Sequence, residues 1–387
     1  MTEAAVSHTH ESGHAAGEAL GASVMEKLGG AAPDALIVFA SPGQDHAALL
    51  AALQARCRPG AMVGCSSAGE FTSDGSGVGM TCVVALRAPE MEFTATLGRG
   101  LRTGRAAAAD DMVAGFRGLQ STGFRHRAAL VLTDALAGFA DDLVDRLTLL
   151  TGGAYRFFGG GAGDDARFQH TVVFHGTEVA TDAAVALEIL SNQPIGVGVK
   201  HGWDPSPDRM RVTEAAGMTL TSLDAVPAVE VFDAHAAATG QAFDHAEPIP
   251  FFLHNVLGVE SAEGYRLRVP LAVEADGGVA CAADVPAGST ACIMGTTAES
   301  AADAAAWATR AALAQLEGAE PAVAFLFDCV ATRLRLGQEF GAELAAVQDE
   351  LGEVQFAGFN TYGQIAQSEG QFSGFHNCTA VVCVLPR

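Results

Sequence analysis

Three histidines of this chain sit among apolar residues: His201 in Val199-Lys-His-Gly-Trp203, His254 in Phe251-Phe-Leu-His-Asn-Val-Leu257, and His376 in Phe372-Ser-Gly-Phe-His-Asn-Cys-Thr379. For any one of them a hydrogen-bonded core histidine is the commoner state. As a set they supply what a haem pocket needs, a neutral imidazole beside a large apolar wall. Gly358-Phe-Asn-Thr-Tyr-Gly363 adds an aromatic ring, polar side chains and glycines that permit close backbone approach to a ligand. The candidate ligand contacts are therefore His376, His201, His254, Phe359, Asn360, Tyr362, Gly363 and Asn377, with the three histidines, in that order, as the metal-ligating candidates.

Other chemistry is weaker in this sequence. Val63-Gly-Cys-Ser-Ser-Ala-Gly-Glu70 offers Cys65 or Ser66 as a nucleophile for a hydrolase or transferase, but hydroxyls between glycines more often bond their own backbone in a turn. Gly159-Gly160-Gly161 lacks the GxxxxGK[ST] pattern of a phosphate loop. His8, His10 and His14 fall in a Gly- and Ala-rich stretch read as a mobile tail, where only adventitious metal is expected. No HExxH or CxxC spacing signals zinc.

With 22 Lys and Arg against 45 Asp and Glu, the 387-residue chain carries a net charge of −23 and lacks the basic stripe of a nucleic-acid binder. Hydrophobic residues make up 49%, enough for large cores, yet no apolar run reaches the ~18 residues of a membrane span. No secretory signal is visible, so the cytoplasm is the expected compartment. Several of the eight cysteines lie in strand-like apolar runs, where a reduced thiol acts as a small hydrophobe rather than as part of a disulfide framework.

The elements that must carry these residues repeat. Ala35–Ala40, Ala129–Asp134 and Ala322–Asp328 are apolar strands, each followed by an amphipathic helix, a second strand ending in a glycine loop, and a third strand: Gly79–Leu86, Thr171–Phe174 and Thr379–Leu385. From the end of the first strand to the first loop glycine the separations are 24, 25 and 30 residues. A strand–helix–strand unit of that size implies parallel neighbours, and a third strand returning after a short loop implies an antiparallel one. The expected fold is α/β, with mixed sheets built from repeated βαββ units and helices packed on the sheets. Ala291–Thr297 and the Ala-rich helix after it are expected to open the C-terminal half. The expected division is a flexible tail at 1–21 and two domains at 22–225 and 226–387. The loops 64–70, 159–165 and 358–364 then fall at strand carboxyl ends, where open α/β sheets bind ligands.

Val63-Gly-Cys-Ser-Ser-Ala-Gly-Glu70, His201-Gly-Trp-x-Pro205 with Val212-Thr213, Phe327-Asp-Cys329, Gly358-Phe-Asn-Thr-Tyr-Gly363 and His376-Asn-Cys-Thr379, in this order, resemble the FIST N and FIST C sensory domains over about residues 22–387. The resemblance implies an intracellular small-ligand sensor without catalysis of its own. Stand-alone bacterial members of this size include proteins that bind haem b, sense nitric oxide and act on a partner histidine kinase or cyclic-di-nucleotide enzyme. A haem-free sensor of a metabolite such as an amino acid is the alternative. The position after Gly363 is commonly acidic in the family and here is Gln364.

Overall fold

Ala35-Leu-Ile-Val-Phe-Ala40 is buried along its whole length, as a strand with neighbours on both edges and layers on both faces must be. In the computed structural model, which describes residues 1–120, 123–262, 264–367 and 374–387, such strands form the centres of three repeats larger than a βαββ unit. The first repeat holds β1 (Glu3–Thr9), α1 (Gly13–Lys27), β2 (Ala35–Ala40), α2 (His46–Cys57), β3 (Ala61–Ser66), the hairpin β4 (Glu70–Thr72) and β5 (Gly75–Gly77), and β6 (Thr81–Arg87). The second follows the same order: β7 (Met91–Arg99), α3 (Leu101–Ala114), β8 (His126–Thr133), α4 (Ala140–Leu150), β9 (Arg156–Gly161), the hairpin β10 (Val173–His175) and β11 (Glu178–Ala180), and β12 (Ala183–Ser191).

The third repeat opens with β13 (Gly196–Lys200) and is then interrupted by a separate β-rich layer. That layer comprises β14 (Trp203–Pro205), β15 (Met210–Ala216), β16 (Thr219–Leu223), β17 (Val226–Pro227), α5 (Ala228–Thr239), α6 (Ile249–Phe252), β18 (Val256–Ser261), β19 (Gly264–Arg268), β20 (Pro270–Val273), β21 (Val279–Cys281) and β22 (Thr290–Thr296). The repeat resumes with α7 (Ala298–Ala314), β23 (Pro321–Cys329), α8 (Val330–Leu336), α9 (Phe340–Leu351), β24 (Phe356–Thr361), the hairpin β25 (Gln364–Ala366) and β26 (Gly374–His376), and β27 (Ala380–Pro386).

Within each repeat the two central strands are parallel, β2 with β3, β8 with β9 and β23 with β24. The last strand returns antiparallel to the first of them. The hairpins do not stay at home. β10–β11 of the second repeat joins β3 of the first, β4–β5 of the first joins β24 of the third, and β25–β26 of the third joins β9 of the second. The exchange is cyclic and gives three sheets of one order: β1-β6-β2-β3-β10-β11, β7-β12-β8-β9-β25-β26 and β13-β27-β23-β24-β4-β5.

Side-chain alternation along the strands then sorts the core. Phe39, Val63, Leu130, Phe158, Val185, Phe325, Phe327 and Phe359 from all three sheets form one central core. The opposite faces pack under α1 and α2, under α3 and α4, and under α7 and α9.

Several expectations are corrected. Residues 1–21 hold β1 and most of α1 rather than a tail: Ala5 and Val6 are buried against β6, and His8 Nδ1 is 3.1 Å from Thr72 Oγ1. The small residues that looked like low complexity are a close helix–helix contact, since a Cβ on Gly17 would come within 2.5 Å of Ala52 Cβ. Thr171–Phe174 is not the return of the second repeat; β12 is, and the 173–175 strand belongs to the first repeat's sheet. Ala291–Thr297 is the last strand of the inserted layer. The division expected at 225/226 is not overturned; it runs between β16 and β17, which pair with each other inside that layer.

Candidate ligand cavity

The loop glycines are the first surprise in the chemistry. Gly64, Gly159 and Gly358 lie within strands, and a Cβ on each would stand 1.7–2.1 Å from the carbonyl oxygen of Val38, Val131 or Leu326 on the neighbouring strand. Opposite them in the exchanged hairpins stand Phe174, Ile365 and Phe71. These glycines admit a neighbour's backbone and side chain, not a ligand. Gly363 is similar: at φ 117° its missing Cβ would lie 2.1 Å from the ring of Phe375.

A cavity of about 590 Å³ does open at the carboxyl end of β23, as the strand-end rule for α/β sheets anticipates. Its walls come from three places. The third repeat gives Cys329, Val330, Ala331, Leu334, Tyr362 and Asn377; the inserted layer gives Ile249, Leu253, Val269, Pro270, Leu271 and Ala282; the second gives Leu136, Ala166 and Phe168. Phe168, Ile249 and Leu334 are 46%, 38% and 42% exposed, an apolar rim of the kind that marks binding surfaces. The volume lies in the range of small-molecule pockets, and the lining contains no Asp, Glu, Lys or Arg.

Its polar groups are few and held in place. The Tyr362 hydroxyl donates to Asp164, and its ring stacks on Phe168 with centroids 4.4 Å apart. Asp164 also accepts the backbone N–H groups of Phe168, Gln169 and His170 at 2.8, 2.7 and 2.8 Å. Burial pushes its carboxyl up, but these four donors outweigh burial and hold it below the ordinary value. The loop they fasten carries Asp165, Ala166 and Phe168 at φ 56°, 62° and 54°, left-handed conformations that non-glycine residues rarely adopt. Asn377 donates from Nδ2 to the His376 carbonyl at 3.3 Å and accepts the Val269 N–H at 3.5 Å. The neighbouring Cys378 thiol brings the Cys329 pKa down to about 6, against the opposing effect of burial.

The three histidines are not brought together at this cavity. His376 lies in β26 opposite Gln364; burial first, then Arg266 and Arg268, press its pKa down to about 3, so it is a neutral core imidazole. Phe372 and Ser373 of its expected flank lie outside the described residues. His201 follows β13, with Nε2 3.1 Å from the Tyr265 carbonyl and Nδ1 accepting the Trp203 N–H at 3.2 Å. Its slit, shared with Asp328, Thr332, Arg335, Glu343 and Cys378, holds only about 10 Å³, room for one water. His254 borders a separate cleft of about 500 Å³ with Asp204, His235, Gln241 and Asn255.

Of the other candidates, Phe359 packs in the central core 4.7 Å from Phe39, and Asn360 lies beside Gly69 and Arg333. Only Tyr362 and Asn377 line the cavity. A haem held by His376, His201 or His254 does not fit these residues: one imidazole is sealed in a sheet, one has both nitrogens engaged, and one faces a polar cleft. Among the described residues no group of three or more His, Cys, Asp or Glu side chains is placed to hold a metal ion.

The nucleophile candidates are also enclosed. Cys65 is fully buried in the central core, where burial raises its pKa well above the usual thiol range. Ser66 Oγ accepts the Val172 N–H at 3.0 Å and so pins the exchanged hairpin.

Residues 34–226 match the FIST N domain, and residues 228–367 match the FIST C domain. The chain is a tandem FIST protein. FIST domains are sensory domains of signalling proteins that detect small ligands. No curated protein matches this FIST chain. The FIST N match includes β13, which lies in the third repeat's sheet, so the two matched segments share a sheet rather than meeting at a simple seam. Among the described residues of this FIST protein, no helix is long and apolar enough to cross a membrane.

The sequence reading missed Cys329, α6, α8 and the 166–168 loop. Phe327-Asp-Cys329 stood out as a motif without a role. Nothing local could announce that α6, more than 70 residues upstream, would close the same cavity.

Proposed function

We propose that this FIST protein senses a small, largely apolar ligand in the 590 Å³ cavity and reports its presence through contact with a separate signalling enzyme. The observation that supports this is the lining itself: apolar walls without an Asp, Glu, Lys or Arg, and Tyr362, Asn377 and Cys329 as the polar groups that orient a ligand. α8 links the two ends of the task, because Val330 and Ala331 face the cavity while Leu334 reaches both cavity and surface. A histidine kinase or a cyclic-di-nucleotide enzyme is the kind of partner the family resemblance suggests.

Haem b with nitric oxide as the signal is the competing proposal, and it requires an imidazole to turn into the cavity. A polar metabolite such as an amino acid suits the other cleft, where Asp204, His235 and His254 offer charge and hydrogen bonds.

One experiment separates them. The full chain is titrated with a solvatochromic apolar dye, with haemin and with amino acids in parallel. The expected result is dye binding at one site, abolished by Ala331→Phe or Ala282→Phe, which fill the cavity. A Soret shift lost in His376→Ala, His201→Ala or His254→Ala overturns the proposal in favour of haem. Dye binding indifferent to both cavity-filling variants overturns the assignment of the cavity.

A further inference from the structure

Two motifs that each carry a cysteine meet in space. Cys329 ends β23, Cys378 lies in the turn between β26 and β27, and the two are buried in one apolar cluster, with Cys378 lining the slit beside Asp328 and Thr332, the near neighbours of Cys329 in sequence. Both are buried, yet each borders a void: Cys329 lines the apolar cavity and Cys378 lines the slit behind it. All eight cysteines are free thiols. Cys65 and Cys82 also lie near one another, but inside the central core, and neither lines a cavity described above.

We propose that Cys329 and Cys378 are a dithiol site which the cavity presents to apolar hydroperoxides, and that these convert the pair to a disulfide. This deepens the ligand reading above and rests on it. The walls select the oxidant: Leu136, Leu253, Leu271 and Leu334 favour an alkyl or aryl group, and the lining holds no Asp, Glu, Lys or Arg that would favour a small polar one.

The reaction balances in two steps. The Cys329 sulfur, as thiolate, attacks the terminal oxygen of ROOH; an S–O bond forms, the O–O bond breaks, and RO⁻ leaves to take up a proton as ROH. Cys329 is then a sulfenic acid. The Cys378 thiol attacks that sulfur; the S–S bond forms, the S–O bond breaks, and the oxygen leaves as water. Two thiols and one hydroperoxide yield one disulfide, one alcohol and one water. The new bond, of about 2.05 Å, joins the start of α8 to the turn before β27 and so locks a cavity wall.

The test uses the reduced full chain, exposed to cumene hydroperoxide or to hydrogen peroxide at equal concentration, with intact mass and peptide mapping as readouts. The expected result is loss of two hydrogens through a Cys329–Cys378 link, at least tenfold faster with cumene hydroperoxide and reversed by dithiothreitol. Cys378→Ser is expected to stop at a Cys329 sulfenic acid that dimedone traps. The wild-type result stands alone if that variant does not fold. No mass loss, a link between other cysteines, or an equal rate with hydrogen peroxide overturns the proposal. Dye binding measured on the same sample separates the two readings: binding without oxidation removes only the dithiol site, while absence of both removes the apolar cavity reading as well.

Discussion

Phe71 of β4 lies opposite Gly358 of β24, a residue of a different repeat, and its ring fills the space that a side chain on that glycine would need. A Cβ there would stand 2.6 Å from the Phe71 ring and 1.7 Å from the Leu326 carbonyl oxygen. Phe71 in turn packs on Phe340 and Phe356. Gly358→Ala is therefore expected to cost about 3 kcal/mol or more, at the upper end of overpacking effects. Gly77→Ala, whose Cβ meets nothing within 4 Å, is expected to stay within about 0.5 kcal/mol. Urea unfolding of both variants checks this; a Gly358→Ala protein as stable as wild type would mean that the hairpin is not seated.

The cyclic exchange makes a second prediction. A fragment of residues 1–225 has β4–β5 without β24, β9 without β25 and β13 without β27. It also lacks the Phe325, Phe327 and Phe359 wall of the central core. Expressed alone, it is expected to show no cooperative unfolding, and mixing it with 226–387 is expected to restore a transition. A monomeric 1–225 fragment with a sharp melt by circular dichroism would contradict the shared-sheet architecture.

Glu70 gives a prediction in pH. Burial is the main cause that raises its carboxyl from 4.5 to about 8, although the Ser67 hydroxyl and the Met80 N–H donate to it. Between those values the folded state holds a proton that the unfolded chain has released. The contribution is complete below pH 4.5 and is lost as pH rises toward 8, at up to ~1.4 kcal/mol per pH unit. Glu70→Gln stays neutral throughout, so its stability relative to wild type should grow from pH 5 to pH 8. Parallel stability curves would show that Glu70 is already ionised in the fold.

Tyr362→Phe removes one of four donors to Asp164 and is expected to cost about 1.5–3 kcal/mol at pH 7, the range for hydrogen bonds to a charged group. Because the Asp164 carboxyl is held below its ordinary 3.8, the stabilisation exists above that pH and fades as pH falls through the native value. The cost should therefore be smaller at pH 3 than at pH 7 in denaturant titrations. An equal cost at both would mean that the hydroxyl does not act through the ionised Asp164 carboxylate.

The central strands were legible because continuous apolar runs such as Ala35–Ala40 and Ala322–Phe327 have few alternatives to burial on both faces. The hairpins were not, since Glu70–Thr72 and Gln364–Ala366 are three-residue strands whose partners lie in other repeats. α1 was lost for a different reason: Gly17 and Gly21 pack closely against α2, and close packing through small residues looks like low complexity in one dimension. Of the residues expected at a ligand site, Tyr362 and Asn377 lie on the cavity lining. The histidines lie elsewhere, because apolar flanks report burial, and burial in a sheet is not the same as facing a cavity. Cys329 was visible but had no partner until the fold supplied Cys378.

The exchange of hairpins also bears on synthesis. The acceptor strand β24 follows β4 by about 290 residues, roughly 15–60 s of synthesis at ~5–20 residues per second. During that interval the outer edge of β4 is unpaired and Phe71 has no home. The β4–β5 hairpin therefore cannot be seated before β24 exists, and the nascent protein carries a sticky strand over that interval. Chaperone demand, rather than final stability, is then the quantity on which mutations in the hairpins should act first.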